Sequence, residues 1–208
     1  MTGCGCGSEE VAKDGEQRSL LLLLLGINLG MFFVEIGAGV MAQSTGLIAD
    51  SLDMLADAMV YGVALYAVGR SAAAKISAAQ LSGVFQILLA AGVAVDVARR
   101  FIVGSEPQSI VMMLVGGLAL AANVTCLLLI SRHRQGEVHM RASWIFSAND
   151  VIANIGIIIS GALVALLGNR WPDLLVGALI VLLVFRGGVH ILRDAAAERR
   201  QHAEVDQM

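Results

Sequence analysis

Residues 19–41 read SLLLLLLGINLGMFFVEIGAGVM, an apolar run in which Glu35 is the one charged residue. A helix needs about 20 residues to cross the hydrocarbon core of a bilayer. Because lipid offers no water to satisfy backbone N–H and C=O groups, each segment must satisfy them internally, which favours a helix. The stretch therefore predicts a membrane-spanning helix.

Five further apolar segments follow, and their predicted limits are 46–69, 78–102, 109–131, 142–167 and 174–193. Both prolines, Pro107 and Pro172, fall in gaps between segments, where helix breakers belong. Hydrophobic residues make up 57% of the 208-residue chain and charged residues 15%, against about 45–50% and 25% in soluble domains. The predicted fold is an all-α membrane protein with six transmembrane helices.

The two ends of the chain are polar. Residues 1–18 predict a flexible cytosolic tail, residues 19–194 a single transmembrane domain, and residues 195–208 a short cytosolic tail with no further domain. Positive residues are enriched in cytoplasmic connections. One side has Lys13, Arg18, Arg70, Lys75, Arg132, Arg134, Arg141, Arg186, Arg193, Arg199 and Arg200, and the other has only Arg99, Arg100 and Arg170. Both termini are therefore predicted to be cytoplasmic.

The second segment carries the sequence ADSLDMLAD over residues 49–57. Asp50, Asp53 and Asp57 stand at i, i+3 and i+7, so all three lie on one helix face. Ionisable groups inside a membrane are costly and mark functional sites. Polar contact between helices is the competing explanation, but stacked carboxylates favour a bound divalent cation.

The fifth segment contains MRASWIFSANDVIAN over residues 140–154. Asp150 shares a helix face with Ser143, Ser147 and Asn154, whereas Asn149 points about 100° away. The segment therefore offers a second carboxylate-bearing face for the same cation.

With these two motifs, the sequence resembles the cation diffusion facilitator family, also called the cation efflux family, over all six segments. The resemblance implies that the second and fifth helices each supply two ligands at i, i+4 to one tetrahedral metal ion. The first pair maps onto Asp53 and Asp57, and the second onto Phe146 and Asp150. Asp50 and Glu35 also match acidic positions of the family. The family exchanges cytosolic metal for protons by alternating access, usually as a homodimer.

Two departures from the family pattern matter. A histidine is usual where this chain has Phe146, and phenylalanine cannot bind a metal. Asp53, Asp57 and Asp150 therefore remain as metal ligands, and the fourth is open. Most members also carry a cytosolic metal-binding domain after the sixth helix, which this chain is too short to contain, so a homodimer would form through the transmembrane helices. The candidates for the fourth ligand are Ser147, Asn149, Asn154, Asp50 and water.

The expected function is efflux of a divalent metal ion in exchange for protons, from a bacterial inner membrane. Zn²⁺ is the first expectation for the transported ion, and Cd²⁺, Mn²⁺, Fe²⁺ and Co²⁺ stay open because oxygen ligands suit several metals. The alternative is a non-transporting membrane metal sensor or scaffold. The helices show no serine–histidine pair of the kind an enzyme would use, so no catalytic activity is expected. A net charge of −3 without a basic run argues against nucleic acid.

Several other residues are weaker candidates. Cys4 and Cys6 could collect soft metal ions, and His133 and His139 could form an accessory site in a loop, although mobile, solvated segments explain both. Cys126 is most simply a small core residue.

Overall fold

The computed structural model describes residues 6–67, 72–131 and 138–205, without several side chains in these ranges, including those of residues 138–149. Over these ranges it contains six helices and no strand. Their bounds are α1 Cys6–Met41, α2 Thr45–Ala67, α3 Ala72–Val103, α4 Ser109–Ser131, α5 Val138–Leu167 and α6 Trp171–Val205. The six predicted helical segments are confirmed. Four helices extend further than predicted. Helix α1 begins within the predicted tail, α3 and α5 begin at residues 72 and 138 rather than 78 and 142, and α6 continues past residue 193.

Among the described residues, five helices contain segments long and apolar enough to cross a membrane, so the protein is a multi-pass membrane protein. These segments are Arg18–Met41, Ile76–Val103, Ser109–Ser131, Asp150–Leu167 and Trp171–Arg200. Helix α2 has 23 residues, which is also sufficient length, but it carries three aspartates. The crossing by α2 and the side that each terminus faces stay predictions.

The bundle has apolar side chains outside and many polar side chains inside. The large exposed apolar residues include Leu22, Phe33, Leu114, Leu166 and Leu179. Asn28, Glu35, Asp50, Asp150 and Asn154 are all buried. This arrangement suits a lipid environment, because exposed apolar surface costs no free energy there and ionisable groups must face the interior.

Helix α2 is central to the packing. The most extensive packing is between α1 and α2, α3 and α6, and α4 and α5, and α2 contacts each of the other five helices. Glycines allow the approach of α3 and α6, because a Cβ on Gly83 would lie 3.1 Å from the carbonyl oxygen of Gly188. The helix with the acidic face is therefore surrounded by protein along much of its length.

The start of α2 is held by a carboxylate from α6. Asp173 is fully buried; its Oδ1 accepts hydrogen bonds from Ser44 Oγ (2.7 Å) and Gly46 N (3.0 Å), and its Oδ2 accepts one from Thr45 N (2.6 Å). The first N–H groups of a helix have no partner within the helix, and negative charge is favoured there. We call this contact between Asp173 and residues 44–46 the α2 clasp.

A second polar connection joins α3 to the corner between α1 and α2. Arg100 lies 2.6 Å from Asp96 and Arg99 lies 2.9 Å from the same carboxylate. Arg100 is buried and also donates to the backbone oxygen of Gln43. The corner is tight, because Gln43 has a φ of 52°. This connection and the α2 clasp fix the same end of α2 against α3 and α6.

Candidate metal centre

The acidic face of α2 points into the bundle. Asp50 and Asp57 are buried and Asp53 is half-buried. Residues at i, i+3 and i+7 share a helix face, and the central position of α2 turns that face away from lipid. The structure therefore confirms that the three aspartates face the interior of the bundle.

Helix α5 brings a fourth carboxylate to this face. Asp150 is buried, and its side chain lies within interaction distance of those of Asp53 and Asp57. Carboxylates this close repel strongly when water is excluded. The arrangement therefore requires shared protons or a cation among the oxygens.

In the part of the chain that the structure describes, no three His, Cys, Asp or Glu side chains already converge closely enough to hold a metal ion. The carboxylates of Asp53, Asp57 and Asp150 interact in pairs but do not form such a group. A bound ion would have to draw them together, and their assignment as ligands stays a prediction.

The candidates for the fourth ligand are only partly described. Asp50 lies on α2, about one turn before Asp53. Asn154 is fully buried, and its Nδ2 donates to the backbone oxygen of Asp150 at 2.8 Å, which leaves its Oδ1 without a hydrogen-bond partner among the described residues. The side chains of Phe146, Ser147 and Asn149 lie outside the description.

Glu35 of α1 extends the acidic interior. Its side chain is fully buried and lies beside Asp50. Neither oxygen of Glu35 nor the Oδ2 of Asp50 accepts a hydrogen bond from an N–H or hydroxyl group within the described ranges, and the two carboxyl groups can bond to each other only by sharing a proton. These oxygens are exceptions, because buried polar atoms in proteins are nearly always paired.

Sequence reasoning missed the polar surroundings of Cys126 on α4. The thiol is buried, and Asn28 of α1 donates to its Sγ at 3.9 Å. Asp57 lies within electrostatic range of the same thiol. Spacing along one helix could not reveal this contact, because its members belong to α1, α2 and α4.

The remaining sequence candidates cannot be placed. Residues 1–5 and 132–137, which include Cys4 and His133, lie outside the described ranges, and so do the side chains of Cys6 and His139. They stay predictions.

The helical bundle has an apolar surface, and carboxylates from two helices meet inside it. These features define a multi-pass membrane protein with an interior that attracts cations. Residues 21–198 match the family described as the cation efflux transmembrane domain. The chain belongs to this family, which confirms the resemblance seen in the sequence.

Curated relatives have related names. The chain is 25% identical to the "Cadmium, cobalt and zinc/H(+)-K(+) antiporter" of Bacillus velezensis, over 87% of this chain and 62% of the relative. It is 24% identical to "Zinc transporter ZitB" of Escherichia coli, over 95% of this chain and 67% of the relative. It is 35% identical to "Zinc homeostasis factor 1" of Schizosaccharomyces pombe, over 53% of this chain and 32% of the relative. The chain spans less than two thirds of the length of the Bacillus relative.

Proposed function

We propose that this chain exports a divalent transition-metal ion, Zn²⁺ in the first instance, in exchange for protons by alternating access. The observation that carries the proposal is the meeting of Asp150 from α5 with Asp53 and Asp57 from α2 inside a bundle of the cation efflux family. Such a group of buried carboxylates is costly unless cations or protons neutralise it.

Proton exchange follows from the chemistry of the same oxygens. Carboxylates must be deprotonated to bind a metal, so binding releases protons. When the loaded site opens to the other side, protons from that side compete for the same oxygens and release the metal. The printed name of the Bacillus relative, which joins cadmium, cobalt and zinc with protons and potassium, supports this scheme.

The choice of metal rests on the ligand chemistry and the relatives. Zn²⁺ accepts carboxylate oxygen at about 2.0–2.2 Å, and the relatives are named for zinc, cadmium and cobalt. Mn²⁺ and Fe²⁺ also accept oxygen ligands. They therefore belong in any test of selectivity.

The proposal also covers the orientation of the chain in the membrane and its association into a dimer. Both termini face the cytoplasm of an inner membrane, on the positive-inside rule, and two copies associate through transmembrane helices. Helix α3 is the candidate contact, because Leu81, Val84, Leu88 and Val95 expose an apolar surface along it.

The test is metal-driven proton movement in proteoliposomes that contain a trapped pH indicator. Wild type is compared with Asp57→Asn and Asp150→Asn for each of the five metals. Glu106→Gln is the matched control, because it also removes one negative charge but lies at an exposed position outside the site. Wild type and the control should move protons with at least one metal, and both site variants should not.

A different result would point to the alternative function. If folded wild-type protein binds a metal but no metal moves protons, the chain is a membrane metal sensor or scaffold. If both site variants transport like wild type, the intramembrane carboxylates are not the transport site.

A further inference from the structure

We propose that the cavity between the α3–α4 and α5–α6 connections binds the headgroup of a zwitterionic phospholipid. Arg170 and Ser105 hold its phosphate, and Glu106 holds its ammonium group. The cavity has a volume of about 370 Å³, and its polar wall comes from both connections, including Ser105, Glu106, Ser109, Asn169 and Arg170. It shares no residue with the candidate metal centre, so the inference does not depend on the proposed function.

The two connections lie at one end of the bundle, beyond the apolar parts of the helices. Ser105 lies between the apolar spans of α3 and α4, and Arg170 lies between those of α5 and α6. A hydrogen bond from Arg170 Nη2 to Phe101 O (3.3 Å) joins the α5–α6 connection to the end of α3. Because the apolar spans fill the hydrocarbon core, we expect the cavity at the depth of the lipid headgroups.

Arg170 has N–H donors available for a ligand. Its guanidinium carries five N–H groups; the described residues accept one, at Phe101 O, and the buried Nε has no partner among them. In the described part of the chain Arg170 forms no ion pair, whereas Arg99 and Arg100 at the same end both pair with Asp96. A guanidinium in this state suits a phosphate group, whose oxygens only accept hydrogen bonds.

The backbone beside Arg170 makes room for the guanidinium. Gly104 has a φ of 102°, and a Cβ at this position would lie 3.0 Å from Arg170 Nη1, so glycine is suited to it on both grounds. The next residue, Ser105, has a buried hydroxyl without a hydrogen-bond partner among the described residues. Rotation about its Cα–Cβ bond turns this hydroxyl into the cavity that Ser105 lines. A phosphate oxygen there would receive hydrogen bonds from both side chains.

Glu106 gives the cavity a charge of the opposite sign. Its side chain is exposed, and its backbone N–H donates to Gln43 Oε1 at 3.1 Å, which holds the connection against the corner between α1 and α2. Although both residues are described and line the cavity, Glu106 does not form an ion pair with Arg170. A simple anion would be repelled by Glu106, whereas a headgroup with a phosphate and an ammonium group complements both charges.

The surface beside the cavity favours a lipid over a soluble molecule. Ile102 and Val103 at the end of α3 are 79% and 76% exposed, and Leu166 near the end of α5 is 81% exposed. Trp171 packs edge-on against Phe101, with ring centroids 5.5 Å apart, and tryptophan is enriched at the membrane–water interface. The acyl chains of a lipid bound at the cavity would lie along these apolar side chains.

The competing explanation is that Arg170 only caps the carboxyl end of α3 and that water fills a polar cleft. The cap accounts for the hydrogen bond to Phe101 O. It does not account for the remaining donors of Arg170, for the hydroxyl of Ser105 or for the unpaired carboxylate of Glu106. The two explanations differ in a measurable way, because a cleft that holds only water does not distinguish one lipid headgroup from another.

The experiment measures quenching of Trp171 fluorescence by brominated lipids, in the full chain with Trp144→Phe as parent. The chain has two tryptophans, so Trp171 is the only one in this parent. The protein in maltoside detergent is titrated with brominated phosphatidylethanolamine, with brominated phosphatidylglycerol, which lacks the ammonium group, and with brominated diacylglycerol, which lacks both charges. We expect phosphatidylethanolamine to bind up to about fivefold more tightly than phosphatidylglycerol, and diacylglycerol about tenfold more weakly than phosphatidylethanolamine.

Variants assign the two charges of the headgroup. Arg170→Gln should lower the affinity for both phospholipids by about tenfold, because it removes hydrogen bonds from a charged donor. Glu106→Gln should weaken phosphatidylethanolamine binding, strengthen phosphatidylglycerol binding and so remove the preference. The matched controls are Arg99→Gln, at an exposed position of the same end, and Glu198→Gln, at an exposed position near the far end of α6. Both should keep the values of the parent.

Three results would overturn the inference. Equal affinity of the parent for phosphatidylethanolamine and diacylglycerol would show a cleft that holds only water. A preference that Glu106→Gln leaves unchanged would show that this carboxylate does not face the headgroup, and this test remains if Arg170→Gln fails to fold. Reversal of the quenching by inorganic phosphate would show that a dissolved anion takes the site instead. None of these results concerns metal-driven proton movement, so the proposed function is tested separately.

Discussion

Asp173 and Glu35 are both fully buried acidic residues, yet their surroundings differ completely. Three donors at the start of α2 satisfy the carboxylate of Asp173. Neither oxygen of Glu35 accepts a hydrogen bond from an N–H or hydroxyl group among the described residues, and its neighbour Asp50 is another carboxyl group, with which it can only share a proton. A satisfied buried carboxylate stabilises a fold, whereas an unsatisfied one is a cost that selection retains for function. The comparison separates the residues that hold α2 in place from those that offer oxygens to a cation.

The largest expected effect on stability comes from Asp173→Ala. It leaves three buried donors of the α2 clasp without an acceptor, and each orphaned group costs about 1–3 kcal/mol. We expect a loss of about 3 kcal/mol or more, seen as a lower melting temperature in detergent. Asp194→Asn is the control, since it neutralises an exposed aspartate near the other end of α6. A melting temperature equal to wild type would show that the α2 clasp does not stabilise the protein.

The helices and the acidic faces were predictable because each depends on local sequence. Segments of about 20 apolar residues have few alternatives in a membrane, and the i, i+3, i+7 spacing of Asp50, Asp53 and Asp57 fixes their common face. The extension of α6 was missed because its limit was set by apolarity, although residues 194–200 include good helix formers such as alanine, glutamate and arginine.

The α2 clasp and the surroundings of Cys126 could not be predicted in the same way. An aspartate in the first turn of a helix normally favours its own helix, but Asp173 caps α2 from α6. Asn28 and Cys126 lie 98 residues apart in sequence. Both contacts depend on which helices pack together, and apolar periodicity carries little information about helix order inside a bundle.

An intermediate effect is expected from Gly177→Ala, which tests the fit of α6 at the same end of α2. A Cβ at this position would lie 2.7 Å from Thr45 Cγ2 and 3.1 Å from the Thr45 backbone carbon. Overpacking of this kind costs about 1–3 kcal/mol. The matched control is Gly92→Ala on α3, where a Cβ would meet nothing within 4 Å. The α6 variant should melt lower than the control, and equal melting would mean that α2 and α6 can separate without loss.

The smallest expected change in stability comes from Glu35→Gln, and its sign is opposite to that of Asp173→Asn. The amide that replaces Glu35 keeps the side-chain shape, cannot ionise in the buried site, and offers an N–H to the unpartnered Oδ2 of Asp50. We expect stability to stay equal or rise by up to about 1 kcal/mol.

The same amide at Asp173 would place an NH₂ group among N–H and O–H donors and lower stability. Both variants can be measured by thermal unfolding in one detergent, with wild type as reference. A loss for Glu35→Gln as large as that for Asp173→Asn would show that the oxygens of Glu35 have stabilising partners. It would remove the physical ground for assigning the two carboxylates different roles.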